Sequence, residues 1–373
     1  ERFGPDPARL DAAARAWLEL RTPDAAAELG EASEPRRQEL VRRLNLAPGG
    51  TAALVAMRAG LIRHLKEHPG LAPLDVDFRH LFGSWFNRGF LVLRRIDWTT
   101  PANILAKIIQ YEAVHTIQSW DDLRARLEPP DRRCYAFFHP QLVDDPLIFV
   151  EVALTRDIPA SIAPLLRIER EVVRPADATT AVFYSISNCQ IGLRGVSFGN
   201  FLIKQVVEEL KRDLPSLKTF VTLSPVPGLT RWLSGELKSD AASIPAEHRG
   251  TLSAVVAGEW AGAGADATKA AVLRAAAARY LIAARNAVGR PLDEVARFHL
   301  GNGARLERIN VDGDLSAKGL AQAGGVMVNY LYDLATIEAN HEAHVNRGEV
   351  AASVELRALV APPQPKPKSL LAL

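Results

Sequence analysis

The sequence predicts an α+β protein in which an all-helical N-terminal bundle precedes a mixed α/β domain that carries a helical insertion. Two observations lead to this fold class. Apolar residues recur at spacings of three and four, with charged residues between them, over about the first 85 positions. After about residue 88 the chain changes to short β-rich runs, which an amphipathic helix and a further strand follow. A length of 373 residues accommodates about two domains of ordinary size.

Residues 1–86 form the predicted helical bundle, which we expect to support the protein or to mediate its self-association. Periodic apolar positions predict helices over Pro7–Leu20, Arg36–Leu46 and Thr51–His68. Thr51 follows a Pro-Gly-Gly break and carries the kind of hydroxyl side chain that is favoured at helix N-caps. No combination of residues with catalytic chemistry occurs in this part of the sequence.

Residues 87–360 form the predicted second domain. Its first strand lies within residues 89–98, and a helix over Ala102–His115 begins after a Thr-Thr-Pro turn. The Ala-rich stretch from 231 to about 289 predicts a helical insertion, and residues 361–373 have the composition of a solvated, Pro-rich tail. Between the first helix and the insertion we expect four strands and one amphipathic helix. The strands are Cys134–Phe138, Leu147–Leu154, Thr180–Ile186 and Lys218–Leu223, and the helix, Phe201–Leu214, precedes the last strand.

Composition argues against several classes of protein. Lys and Arg number 45 and Asp and Glu 43, so a net charge of +2 creates no general attraction for nucleic acid. No uncharged apolar stretch is long enough to span a membrane. Cys134 and Cys189 are too few for a disulfide framework or a thiolate zinc site, which favours a reducing, intracellular setting. His341 and His344 are three residues apart without a clear third ligand, so we predict no metal site.

A Gly-rich stretch at residues 190–202, QIGLRGVSFGNFL, follows a β-run and leads directly into a periodic helix. Glycines there let the backbone turn tightly, and the free N–H groups at the start of the helix favour an anion. The spacing fits neither a Walker loop nor a good G-x-G-x-x-G. A strand-to-helix turn without a ligand therefore stays open on spacing alone. Local polarity and charge come from Arg194, Ser197 and Asn200.

The order Arg-Gly-x-Ser-x-Gly-Asn before an apolar helix resembles the diphosphate loop of the Gcn5-related N-acetyltransferase superfold. That resemblance implies an acyl-coenzyme A ligand and the mixed α/β architecture of that superfold. The residues that it implies for binding are Gln190, Arg194, Gly195, Val196, Ser197, Phe198, Gly199 and Asn200.

Further motifs resemble the malonyl-CoA decarboxylase family in its bacterial form and follow the family's order from Cys134 to Tyr332. They are FFHPQL, PLIFVEVAL, FYSISNCQ, TLSPVPG, FHLGNGARLERIN and GGVMVNYLY. Their joint occurrence is far more specific than a single Gly-rich loop. It implies that Ser224, His299 and Tyr332 are catalytic, and that Ser185, Asn302 and Tyr330 belong to the same substrate pocket.

The chemistry of the implied reaction suits these residue types. Loss of CO2 from a malonyl thioester leaves an enolate, so one donor must stabilise the thioester oxygen and another group must protonate carbon. His299 is the expected donor and Ser224 the expected proton relay, and the opposite allocation stays open. The thioester carbonyl itself accepts the electrons, so we expect no cofactor and no metal.

Each candidate also has a purely structural interpretation when it is taken alone. Ser224 precedes Pro225 and is typical of a turn, His299 lies in an apolar run, and the two tyrosines of NYLY are typical of a core. Ser197 occupies a position where animal members of the family carry an acidic residue. The group that tunes His299 is therefore open.

The predicted function is decarboxylation of malonyl-CoA to acetyl-CoA and CO2. An acyl-CoA N-acyltransferase on the same superfold is the alternative, and a non-catalytic acyl-CoA-binding protein is a third hypothesis. We expect a small-molecule acyl-CoA as partner, neither nucleic acid nor membrane, and a homo-oligomer, as a dimer or tetramer. A bacterial-type, cytoplasmic enzyme is expected, since the chain has no Ser-Lys-Leu ending.

Overall fold

The computed structural model describes residues 3–196, 198, 202–239, 244–264 and 266–360. The predicted Pro-rich tail at 361–373 lies outside the described residues. Five helices are followed by a mixed sheet with helices around it, so the predicted fold class is confirmed.

The helical bundle contains two helices more than the three that the periodicity predicted. Asp6 accepts hydrogen bonds from the N–H groups of Ala8 and Arg9, and this cap starts the first helix. The prediction of Thr51 as an N-cap is wrong, because Gly49 caps that helix and the Thr51 hydroxyl donates to the side chain of Asn45. The helices are α1 (Pro7–Leu20), α2 (Pro23–Ser33), α3 (Arg36–Asn45), α4 (Gly50–His64) and α5 (Ala72–Trp85).

The second domain is built on an eight-stranded sheet in the order β1-β2-β3-β4-β5-β8-β6, with β7 also pairing with β8. All pairs are antiparallel except β4 and β5, which are parallel. The strands are β1 (Val92–Ile96), β2 (Arg132–Phe138), β3 (Pro146–Thr155), β4 (Thr180–Asn188), β5 (Thr219–Thr222), β6 (Ser224–Pro225), β7 (Arg305–Asn310) and β8 (Met327–Leu331).

The parallel pair separates part of the way along. β4 and β5 pair from Thr180 with Thr219 to Phe183 with Thr222, and β5 then ends. β4 continues to Asn188 and is bonded there to β3 on its other side. The carboxyl ends of neighbouring parallel strands that diverge leave a crevice, which is a common place for a ligand.

Helices of the second domain surround the sheet. The predicted helix over Ala102–His115 ends earlier, at Tyr111, and the predicted Ala-rich insertion consists of three separate helices. The helices are α6 (Ala102–Tyr111), α7 (Trp120–Leu127), α8 (Ala163–Leu166), α9 (Leu202–Asp213), α10 (Leu229–Lys238), α11 (Ala246–Ala257), α12 (Ala267–Ile282), α13 (Glu294–Gly301), α14 (Ala317–Ala323), α15 (Ile337–Arg347) and α16 (Val354–Ala358).

The bundle and the sheet share one hydrophobic core. Leu54, Phe78 and Phe82 of the bundle belong to the same buried cluster as Phe137 and Val150 of the sheet. The two parts are therefore packed together rather than joined only by the chain. Among the described helices, none has the length and apolar character that crossing a bilayer requires.

Candidate active site

A cavity of about 850 Å³ lies where β4 and β5 separate. Its walls come from the end of β4, the loop that precedes α9, the short strand β6, helix α13 and the segment after α6. A volume of this size suits a cofactor-sized or drug-sized ligand. Segments that are far apart in sequence therefore converge on one site.

Ser224 and His299 meet at this cavity. The Ser224 Oγ lies 3.1 Å from the His299 Nε2, and the two side chains are 5% and 3% exposed. Ser224 is held in β6 by pairing with Val328 of β8, while His299 lies near the end of α13. A nucleophile-type oxygen and an imidazole at hydrogen-bond distance are able to exchange or share a proton.

The imidazole of His299 is enclosed by aromatic rings. Tyr330 stacks on it with a ring-centre separation of 4.5 Å, and the Tyr332 Oη lies 2.8 Å from its Nδ1. Burial lowers the pKa of His299 to about 3, so the ring is neutral near pH 7. The Ser224 hydroxyl donates to the Thr222 Oγ1, so the Ser224 oxygen is left to accept from Nε2–H, and we infer that Nδ1 accepts from the Tyr332 hydroxyl. The imidazole proton then resides on Nε2 and points towards Ser224.

Thr222 holds the serine from its other side, and sequence reasoning missed this role. The Ser224 hydroxyl donates to the Thr222 Oγ1 at 2.8 Å, and the backbone N–H of Tyr330 donates to the same oxygen at 3.1 Å. The Asn329 side chain donates to the carbonyl of Thr222 at 2.8 Å. The end of β5 and strand β8 are thereby fixed around the serine. No sequence signal beyond membership of the TLSPVPG motif identified Thr222.

A second connection links the turn after Ser224 to α13, the helix that carries His299. A Cβ at Gly228 would lie 2.1 Å from the Tyr280 Oη, so only glycine leaves room for that hydroxyl. The Tyr280 hydroxyl donates to the Asp293 carboxylate, whose other oxygen caps α13 through the N–H of Ala296 at 2.8 Å. Sequence reasoning missed this connection, although Asp293 before an apolar run is a recognisable N-cap signal.

The predicted loop lies at the cavity for the part that the structure describes. Gln190, Arg194, Gly195, Val196 and Phe198 all line it, and Gly195 has a φ of +74°, which favours glycine. The predicted binding residues Ser197, Gly199 and Asn200 lie outside the described residues.

Asn302 also lines the cavity, as predicted, but three other candidates do not contact it. Ser185 is turned away, because its hydroxyl donates to both carboxylate oxygens of the buried Glu112, at 2.9 and 2.7 Å. Tyr330 and Tyr332 lie behind His299 and support its ring. The two tyrosines do not line the described cavity, and their part in catalysis or substrate binding stays a prediction.

The remaining histidine pair is used structurally. The His341 Nδ1 bonds to the carbonyl of Gly301 and the His344 Nδ1 to that of Glu349. Within the described part of the chain, no group of three or more His, Cys, Asp or Glu side chains is arranged as a metal site.

The family comparisons cover nearly the whole chain. Residues 89–369 match the model of the malonyl-CoA decarboxylase C-terminal domain, and residues 3–86 match that of the N-terminal domain. The mitochondrial malonyl-CoA decarboxylase of Anser anser anser is 37% identical over 355 residues, which are 88% of this chain and 70% of the relative. The enzyme of Rattus norvegicus is 36% identical over 354 residues, 88% of this chain and 71% of the relative.

Solved structures give the same result. The crystal structure of malonyl-CoA decarboxylase from Rhodopseudomonas palustris is 60% identical, with a TM-score of 0.88, covering 96% of this chain and 88% of the other. That from Agrobacterium vitis is 58% identical with the same TM-score, covering 97% and 88%. The names of the animal relatives place those proteins in mitochondria, so the cytoplasmic location of this chain stays a prediction. The family models, the sequence relatives and the similar structures agree, and this chain belongs to the malonyl-CoA decarboxylase family of enzymes.

Proposed function

We propose that the cavity binds malonyl-CoA and converts it to acetyl-CoA and CO2, with Ser224 and His299 acting on the malonyl group. The observation that carries this proposal is the buried Ser224–His299 pair, 3.1 Å apart, in the same cavity as the Gly-rich loop. An acyl thioester of coenzyme A is long enough to reach from the Gly-rich loop to the Ser224–His299 pair. Family membership supports the same substrate.

The coenzyme end of the ligand is proposed to lie between β4 and the loop before α9. Beyond Phe183, β4 pairs only with β3 among the described strands, which leaves its other backbone edge available to the amides of the pantetheine arm. Arg194 and Arg297 line the cavity and bring positive charge for the phosphates. Gly195 allows the backbone of the loop to approach them closely.

At the malonyl end of the ligand, His299 is proposed to donate a hydrogen bond and Ser224 to supply the proton for carbon. The neutral ring offers its Nε2–H to the thioester oxygen or to Ser224 as the C–C bond to CO2 breaks and charge moves onto that oxygen. The Ser224 hydroxyl then gives its proton to the α-carbon, which forms the methyl group of acetyl-CoA. Thr222 and His299 both lie within hydrogen-bond distance of the resulting alkoxide until water restores its proton.

The reaction is proposed to need neither a metal nor an organic cofactor. The electrons of the breaking bond enter the thioester carbonyl directly, so no separate electron sink is required. We expect full activity after exhaustive dialysis against EDTA. A loss of activity that added divalent metal restores would contradict this part of the proposal.

The central experiment follows CO2 and acetyl-CoA formation from malonyl-CoA, without any amine, for the wild type, Ser224→Ala and His299→Gln. We expect a large loss of kcat in both variants and an affinity for CoA close to that of the wild type. Ser239→Ala and His344→Gln remove the same side-chain types away from the cavity and serve as controls. A folded wild type without turnover refutes the reaction, and active variants refute the assignment of the site. Turnover that requires an amine acceptor would favour an N-acyltransferase.

Self-association through the bundle is also proposed. Leu18, Leu40, Leu44 and Met57 are exposed apolar side chains on α1, α3 and α4, and such side chains are frequent at interfaces between copies of a chain. Light scattering on the full chain tests this directly. A monomer at micromolar concentration would contradict it.

A further inference from the structure

The helical bundle reaches the Gly-rich loop of the second domain through one buried arginine. Arg58 of α4 donates from Nη1 to the carbonyl of Gly192 at 2.7 Å and from Nη2 to the carbonyl of Arg194 at 2.9 Å. Its Nε donates to the Asp75 carboxylate of α5 at 2.9 Å, and its side chain is only 2% exposed. The guanidinium thus joins two bundle helices to two peptide groups of the loop.

Close backbone packing reinforces this junction. A Cβ at Gly192 would lie 2.0 Å from the carbonyl oxygen of Val55, so glycine lets the loop rest directly on α4. Gly192 is not among the residues with positive φ, and this approach to Val55 is therefore the reason for glycine at that position. Arg79 of α5 forms an ion pair with the second oxygen of Asp75, with 3.1 Å between its Nε and that oxygen, and passes beside Gly195.

The contact to the Arg194 carbonyl determines the direction of the next backbone N–H, that of Gly195. In a trans peptide, the carbonyl of one residue and the N–H of the next point in opposite directions. Arg58 draws the carbonyl of Arg194 towards the bundle, so the N–H of Gly195 points away from the bundle. No hydrogen bond between described residues uses that N–H, and Gly195 lines the cavity. An N–H group that points in this direction suits a phosphate oxygen.

We propose that Arg58 is a positioning residue for substrate binding, through which the helical bundle holds residues 192–195 of the loop in the conformation that receives the diphosphate of the acyl-CoA. This inference rests on the proposed function of the same cavity. Arg58 itself is buried beneath the loop and paired with Asp75, so it acts through the backbone and does not contact the ligand. The bundle thereby becomes part of the binding site as well as a support.

The experiment compares Arg58→Met, Arg58→Lys and Gly192→Ala with the wild type and with Arg63→Met, an exposed arginine on the same helix. We expect Arg58→Met to raise KM for malonyl-CoA and Kd for CoA about tenfold, with kcat within about twofold. Gly192→Ala removes no charge and is expected to act in the same direction. Arg58→Lys keeps the charge and one carbonyl contact, so it is expected to restore part of the affinity.

A truncated substrate separates this role from a general structural one. Malonyl-pantetheine carries the thioester but no diphosphate, so its KM is expected to be the same in the wild type and in Arg58→Met. A KM for malonyl-CoA that is unchanged in folded Arg58→Met overturns the inference, as does an equal increase for both substrates. If Arg58→Met does not fold, Gly192→Ala and Arg58→Lys decide by the same comparison. A wild type that binds no CoA would instead refute the proposed function.

Discussion

Replacing Tyr332 with Phe tests whether the Tyr332 hydroxyl selects the tautomer of His299. The substitution removes one hydroxyl and keeps the ring, which packs edge-on against Phe183 at 6.1 Å between ring centres. It leaves the Nδ1 of His299 buried and without its partner at 2.8 Å. The tautomer with the proton on Nε2, facing Ser224, then loses the hydrogen bond that selects it.

The size of the effect follows from that one lost contact. A buried polar atom left without a partner costs about 1–3 kcal/mol. If the whole cost appears in the transition state, kcat falls by about 5- to 150-fold, because each 1.4 kcal/mol corresponds to a factor of about ten. The KM for malonyl-CoA is expected to stay within about twofold, since Tyr332 does not line the described cavity.

The assay is steady-state decarboxylation of malonyl-CoA, with Tyr330→Phe as the matched control. The Tyr330 hydroxyl is buried and has no hydrogen-bond partner among the described residues, so its removal breaks no bond. We therefore expect Tyr330→Phe to keep a kcat near that of the wild type. A wild-type kcat for Tyr332→Phe, or equal losses in both variants, would refute the reasoning about the tautomer.

Three further predictions concern stability and the supports of the site. Burial lowers the pKa of His299 to about 3. Below pH 6.5 this residue therefore takes up a proton in the unfolded chain but not in the folded chain. The free energy of unfolding is expected to be about 2 kcal/mol lower at pH 5 than at pH 7 for this reason. Urea unfolding at both pH values should show His299→Gln losing less than the wild type, and equal losses would contradict this sign. Gly228→Ala is expected to lower both the melting temperature and kcat. Adding Tyr280→Phe should restore part of each, because it removes the oxygen that lies 2.1 Å from a Cβ at this position. A double variant without any recovery would contradict the proposed clash. Ser185→Ala removes both hydrogen bonds to Glu112, so we expect urea unfolding to show a free energy of unfolding about 1–3 kcal/mol lower, with kcat unchanged. A loss of kcat without a loss of stability would instead indicate that Ser185 takes part in the reaction.

Much of the local structure could be predicted because it depends on neighbouring residues. Helix α1 begins and ends where the apolar spacing predicted, and the Asp6 cap explains its start. Strand β3 is buried along nearly its whole length and reads as an apolar run. Strand β6 could not be predicted in this way, because its two residues form a strand only by pairing with β8.

Ser185 illustrates the same limit within the site. Its motif lies on the predicted strand, yet the direction of its hydroxyl depends on Glu112, which is 73 residues away. Neither apolar periodicity nor motif spacing contains information about such a partner. The sequence therefore predicted the strand that carries Ser185 but not its bonds to Glu112.

Sequence alone was enough to predict the helical first part, strands β1 to β5 and the residue types needed for the chemistry. Those features follow from local hydrogen bonding, from apolar spacing and from motifs that are continuous in the chain. The contact between Ser224 and His299, which are 75 residues apart, and that between Arg58 and the loop, 134 residues away, form only when the chain is folded. Contacts of that kind depend on how the sheet and helices pack. Packing also buries His299, which lowers its pKa to about 3 and keeps its imidazole neutral near pH 7.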